Sequence, residues 1–196
     1  FTPLLVNADF TNNANGWQGG SGQGVETGEM YDKQTFDVYQ EIEGLPEGSY
    51  EVSLQGFQRP TWHDACQAAW GTDAKEAQVT AYAYGNDGSV KLHHCYDEVF
   101  DEPMQAEGWG KDVQLSLPND ELRNGKYALD ALTGTHKAFE EGHFENKFVC
   151  YVKADGKLRV GVRMTEDAGL SGDWTTYDNF RLKYLGAEDM TGAVSA

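Results

Sequence analysis

The chain has 196 residues, 39% of them hydrophobic, enough for the core of one domain of a size that all-β sandwiches commonly reach. Its 15 Lys and Arg against 32 Asp and Glu leave a formal charge of -17, which repels phosphates, sulfates and anionic lipid. That argues against nucleic acid and polybasic-type membrane binding, and favours neutral, cationic or calcium-bridged partners. No apolar run approaches the roughly 20 residues of a membrane-spanning helix, and FTPLLVNADF opens without a basic region or cleavage site, so the expectation is a soluble chain whose signal peptide has gone.

Taken in chain order, LLVNADF (4–10) reads as a first strand. TFDVYQEIEGLPEGSYEVSLQGFQR (35–59) follows as two alternating runs around a Pro-Gly turn. Phe36, Val38 and Ile42 share one face of the first run and Thr35, Asp37, Tyr39 and Glu41 the other; Tyr50, Val52 and Leu54 alternate with Glu51, Ser53 and Gln55 in the second. The pair is expected to be antiparallel, its polar faces turned to solvent. Residues 60–77 break the pattern as a loop with short helical turns. QVTAYAYG (78–85) and VKLHHCY (90–96) are the next strands, joined at Asn86-Asp87-Gly88 as a hairpin.

Residues 97–146 again lose any period. Helical turns are expected in ALDALTG, ending at Gly134, and in THKAFEEGHFENK, ending at Gly142. KFVCYVK (147–153) and KLRVGVRM (157–164) should form a second hairpin across Ala154-Asp155-Gly156, and DNFRLKYL (178–185) closes a set of eight strands. One domain over 1–186 is expected, with 187–196 as a tail or linker. The core should hold Phe36, Val38, Val52, Leu54, Val79, Leu158, Val160, Phe180 and Leu182, together with Cys150.

Catalytic signatures are missing: there is no nucleophile elbow, zinc-protease helix, phosphate-cradling loop or EF-hand, and GGSGQG and GQGVETG read as loop. With 32 acidic residues, paired carboxylates arise by chance and do not define a glycosidase dyad. Cys66, Cys95 and Cys150 make an odd count, so at least one thiol is free or bridged to another chain. Cys66 with Cys95 is the preferred disulfide. A zinc site of His63, Cys66, His93 and Cys95 and two unrelated thiols are the alternatives, the zinc reading lacking the paired ligand clips of known sites.

Four segments, NADFTNNANGW (7–17), 35–59, FEEGHFENKFVCYVKADGKLRVGVRM (139–164) and DWTTYDNFRLKYLG (173–186), together resemble the galactose-binding-like jelly-roll modules of secreted and surface proteins from glycan-degrading gut bacteria. The resemblance implies a two-sheet antiparallel β-sandwich, a carbohydrate-binding-module-like function and a secreted, periplasmic or cell-surface setting, with other domains of a larger protein nearby. It also implies a structural calcium site built from an Asn-x-x-Phe-Glu start and an Asp-Asn near the last strand. Asp178 fits the second element; Thr11 stands where the family has Glu, with Asp9 placed to compensate. Trp17 and Trp174 match family positions and are expected to be structural.

Trp62, Trp70 and Trp109 lie in loops, where an indole needs either a packing partner or a ligand. An indole is a flat apolar platform for the C–H face of a pyranose, while neighbouring polar groups select its hydroxyls. Gln58 and Arg59 lead into that region and are the candidate polar contacts. The reading is therefore a non-catalytic module that binds a neutral oligo- or polysaccharide at one end of the sandwich, using the 60–77 loop and part of 97–146. A structural or protein-binding sandwich and a glycoside-processing enzyme domain are the alternatives.

Overall fold

The computed structural model of the chain describes residues 5–20, 26–32, 35–165 and 169–192, which leaves most of the two glycine-rich stretches outside the described residues. Its strands are β1 (Gly28–Tyr31), β2 (Phe36–Ile42), β3 (Gly48–Arg59), β4 (Tyr82–Gly85), β5 (Gly88–Lys91), β6 (His93–His94), β7 (Val113–Gln114), β8 (Tyr127–Ala128), β9 (Glu145–Val152), β10 (Leu158–Met164) and β11 (Trp174–Gly186). Helix α1 (His63–Ala69) follows β3, and α2 (Leu132–Glu140) precedes β9. One sheet runs β1-β11-β3-β6, with β9 also paired to β3; the facing sheet runs β2-β10-β4-β5, and β7-β8 is a separate ribbon. Apart from the two-residue parallel contact of β6 with β3, the strand pairs are antiparallel. Among the described residues no helix is long and apolar enough to cross a membrane.

The alternation locates the core correctly. Eight of the nine expected core residues and Cys150 are buried between the sheets, and Leu182 packs half-buried against the same cluster. Trp17 joins them, its ring stacked 5.0 Å from Phe10 and tilted against Phe180 at 4.8 Å. The Asn86-Asp87-Gly88 hairpin also forms, with Asn86 at φ 49 and Gly85 opposite Gly88.

Pairing departs from the expectation. β2 and β3 belong to different sheets, as do β9 and β10, so both expected hairpins are crossovers. Each turn sequence does turn the chain, but the partner is set by which sheet buries the apolar face. The two crossovers close on one another through Leu45 N, which donates to Gly156 O at 3.0 Å. LLVNADF is not a strand over its described part. Asn7 Nδ2 bonds the carbonyls of Asn12, Asn13 and Asn15, offering the backbone a closed loop in place of a ladder. Strand β1 was not anticipated. It pairs with β11 with Gly28 opposite Tyr177, where any side chain at 28 would overlap the tyrosine ring.

The outer face of the β3-β11 sheet is solvated as expected at the end that carries Glu51, Ser53, Lys147, Arg181 and Lys183, but covered at the 55–59 end. Phe57 centres a second core with Phe144 (4.8 Å), Trp174 (5.2 Å) and Phe139 (6.1 Å), capped by α2 and the 97–131 segment. Gln55 is accordingly buried, its amide donating to Phe139 O and His143 O. In α2 the chain runs on through Gly134 as one helix and stops before Gly142, at φ 89. The segment after β11 docks back: Ser49 Oγ donates to Glu188 O (2.6 Å) and accepts from Met190 N (2.8 Å).

The expected Cys66–Cys95 disulfide does not form; all three cysteines are free and buried. Cys66 Sγ donates to Thr61 O and Cys95 Sγ to Leu129 O, and burial pushes the thiols up, Cys66 to about 11 and Cys150 to about 12. Thiolate is therefore scarce at neutral pH. The expected outcome is no reaction of the native protein with a thiol reagent such as Ellman's, and three equivalents without reductant in guanidinium; one equivalent would restore a disulfide.

Candidate functional site

At one end of the sandwich a row crosses three strands in register: Tyr31 of β1 lies opposite Trp174 of β11, which lies opposite Arg59 of β3. Arg59 is 4% exposed. Its Nη1 bonds Asp130 Oδ1 and its Nη2 donates to Gly172 O, both at 2.9 Å. The guanidinium also sits 5.3 Å from the Trp174 ring centroid and 5.6 Å from that of Trp62. Planarity lets one cation serve two anionic or carbonyl oxygens and two π-faces at once.

Trp62 immediately precedes α1, with Tyr31 edge-on at 6.1 Å. Its indole rests on Gly172 (φ +77), where a Cβ would overlap the ring. Asp130 precedes α2. His63 Nε2 stands 3.0 Å from the same Asp130 oxygen without an aligned hydrogen bond, and His63 Nδ1 is 2.7 Å from the buried Tyr96 hydroxyl. Glu29 Oε2 accepts from Trp174 Nε1 at 2.7 Å. Burial raises the Glu29 carboxyl, against the lowering by that N–H and by Arg59.

Glu29, Tyr31, Arg59, Trp62, Asp130 and Trp174 line an open cleft of about 480 Å³, completed by Trp109 and by Ala131 to Thr133 at the start of α2. Trp62 is 48% exposed and Trp109 92% exposed. A slightly larger cavity of about 520 Å³ lies between the β5 and β9 edges, but Asp87, Ser89, Lys147, Lys153 and Asp189 make it polar, and no indole enters it. The Trp62 cleft is the better ligand site because apolar platforms and fixed polar groups converge there.

Of the residues expected from sequence, the structure brings Trp62, Trp109 and Arg59 together. Trp70 does not join them: its Nε1 donates to Asp120 Oδ2 (2.8 Å), and it packs on His94, Tyr96 and Arg123. Gln58 is fully buried on the opposite face of β3, accepting from Thr80 N at 2.6 Å and Ala81 N at 3.2 Å. It braces the sheet and is out of a ligand's reach. Tyr31, Glu29 and Asp130 were missed, since GEMY is too short to show a period and ALDALTG carries no chemical motif; Trp174 was read as structural and is both core and wall.

The zinc alternative is not assembled. His93 Nδ1 pairs with Asp97 and its Nε2 with Glu145 O, His63 serves Asp130, and each thiol meets a carbonyl. Among the described residues no three His, Cys, Asp or Glu side chains converge as a metal-binding group. Of the expected calcium ligands, Thr11 is exposed and its N–H and hydroxyl both donate to Asp9 Oδ1. Asp178 is buried, accepting from Asn179 N and Thr27 Oγ1.

No protein-family model and no curated protein matches the chain. Among solved structures, it is similar to TmCBM61, determined in complex with β-1,4-galactotriose, at 15% identity, covering 94% of this chain and 100% of that one, with a TM-score of 0.41.

Burial, then the charges of Asp9 and Glu26, push the Asp178 carboxyl up to about 7 from its ordinary 3.8, against the pull of the Asn179 and Thr27 donors. The folded state then holds a proton that the unfolded chain has lost, so this residue's contribution to stability falls as pH rises from about 4 to about 7. Asp178→Asn should therefore gain stability relative to the wild type progressively across that window, read by urea unfolding with a chelator present. A constant difference between the two proteins would contradict the assignment.

Proposed function

We propose that the cleft binds a neutral carbohydrate without catalysis. The observation that carries this reading is the pair of exposed indoles, Trp62 and Trp109, lining the same cleft as the carboxylates of Asp130 and Glu29. Large exposed aromatics forgo about 25 cal/mol for each Å² of apolar surface left in water, which a pyranose face recovers on binding. Asp130, 30% exposed, offers hydroxyl groups a fixed acceptor, because Arg59 holds its other side.

The charge balance supports a neutral ligand. Arg59 is already committed to Asp130 and to Gly172 O, so it is not free for a uronate or sulfate, and the chain carries -17 overall. The same commitment argues against the enzyme reading: an Asp130 oxygen shared by Arg59 and His63 makes a poor general base. The exposure of Trp62 and Trp109 favours ligand binding over a purely structural module, for which all the loop indoles would be packed as Trp70 is. Such a module suits a secreted, periplasmic or cell-surface protein that handles glycans.

Calcium is proposed on Asp178 alone among the three residues, as a cation that would relieve a buried carboxylate flanked by the charges of Asp9 and Glu26. Asp9 and Thr11 satisfy each other, so most of the six to eight oxygens calcium takes would come from carbonyls and water. If it binds, chelation lowers the melting temperature of the wild type and not of Asp178→Asn; an equal response in both removes calcium from this site.

The ligand reading is tested by a glycan array followed by calorimetry. Trp62→Ala and Trp109→Ala should each weaken binding of a neutral oligosaccharide at least about tenfold; Trp109→Ala should change stability by less than about 1 kcal/mol, whereas Trp62→Ala, which uncovers the buried Arg59, should cost about 1–2 kcal/mol. Trp17→Ala, removing a core ring, should cost about 3–5 kcal/mol. Absence of any glycan bound by the wild type would return the chain to the structural-module reading.

A further inference from the structure

We propose that Asp112 is a positioning residue for the cleft: its buried side chain closes the neck of the loop that carries Trp109 and so fixes that indole as a ligand platform. The inference rests on the carbohydrate reading of the cleft. With 92% of its surface exposed, Trp109 has almost no packing of its own, so the conformation of its loop must place it.

The loop is closed by a specific set of bonds. Asp112 is 6% exposed; its Oδ2 accepts from Met104 N at 2.8 Å, and its own N–H donates to Gln105 O at 2.9 Å. Residues 104 and 105 are thereby tied to 112, and within the ring so formed Gln105 Nε2 donates to Trp109 O at 2.9 Å. Gly108 and Gly110 flank the indole at φ +84 and +77, conformations that other residues adopt only with strain.

The closed loop is also seated on the cleft wall. Gly110 lies so near the residue preceding α2 that a Cβ would come 2.5 Å from Ala131 Cβ, and a Cβ on Gly134 would meet Asp112 Oδ1 at 3.1 Å. Lys137 Nζ adds a longer contact to Met104 O at 3.4 Å. Burying a carboxylate at this neck is costly: burial pushes Asp112 up to about 6 even though the amides of Met104 and Gln105 pull it down. A loop that needed only to connect β6 to β7 would be served by a neutral residue here, whereas an exposed tryptophan needs a rigid base.

The experiment combines a ligand-free reading with a double-mutant cycle. Chymotryptic cleavage after Trp109 in the native protein reports the mobility of the loop. Asp112→Ala should be cut at least about tenfold faster than the wild type, and Asp112→Asn, which keeps an oxygen acceptor for Met104 N, should stay close to it. Gly110→Ala, away from the buried carboxylate, should also be cut faster, and serves if Asp112→Ala folds poorly. Binding is measured against cellotetraose, xylotetraose, mannotetraose and β-1,4-galactotetraose. Asp112→Ala should weaken the best of these at least about tenfold, and should add nothing in a Trp109→Ala background. Unchanged cleavage, or losses that add in the double variant, would overturn the role of Asp112. A wild type that binds none of the four sugars would instead overturn the reading of the cleft.

Discussion

The cleft depends on a guanidinium buried at the end of β3. A charge in that position requires compensation from several directions, and Arg59 obtains it from Asp130 ahead of α2, from the carbonyl of Gly172 ahead of β11, and from the faces of Trp62 and Trp174. One side chain thus draws together three stretches of the chain, 59–62, 130 and 172–174. The register of β1, β11 and β3 places Tyr31, Trp174 and Arg59 in one row, so sheet pairing and site geometry are the same fact.

The second core is what makes this end of the sandwich rigid enough to hold a site. Phe57, Phe139, Phe144 and Trp174 fill the space between the outer face of the sheet and the long 97–146 insertion, so loops that connectivity alone would leave loose are anchored to strands. The tryptophans then divide by environment. Trp17 is core, Trp174 is both core and wall, Trp70 is held by Asp120 and Arg123, and Trp62 and Trp109 keep large faces in water.

Period-two alternation made the apolar faces of β2, β3, β9, β10 and β11 legible, and with them the main core, because a pleated strand leaves that mark whatever it pairs with. Pairing was not legible. The Leu45-Pro46 and Ala154-Asp155-Gly156 turns look like hairpins from their residues, yet each carries the chain to the other sheet. The covering of Gln55 and Gln58 was also hidden, since a polar residue on a strand reads as solvent-facing unless the layer above it is known. In the site, aromatic type and loop position pointed equally to Trp62, Trp70 and Trp109; the Asp120 carboxylate at the Trp70 N–H and the packing of that ring on His94, Tyr96 and Arg123 separate them. Asp130 and Glu29 act through distant partners, Arg59 and Trp174, and such pairing leaves no local pattern.

The central claim is that ligand contacts Trp62 and Trp109 and no other loop indole. It is tested most directly by following the indole N–H resonances of the five tryptophans in the native protein during titration with a neutral oligosaccharide selected on an array. The account predicts saturable shifts of Trp62 and Trp109, a smaller one of Trp174 through the shared wall, and none for Trp17 or Trp70. Shifts confined to Trp70, or saturable binding that leaves both Trp62 and Trp109 unmoved, would contradict it.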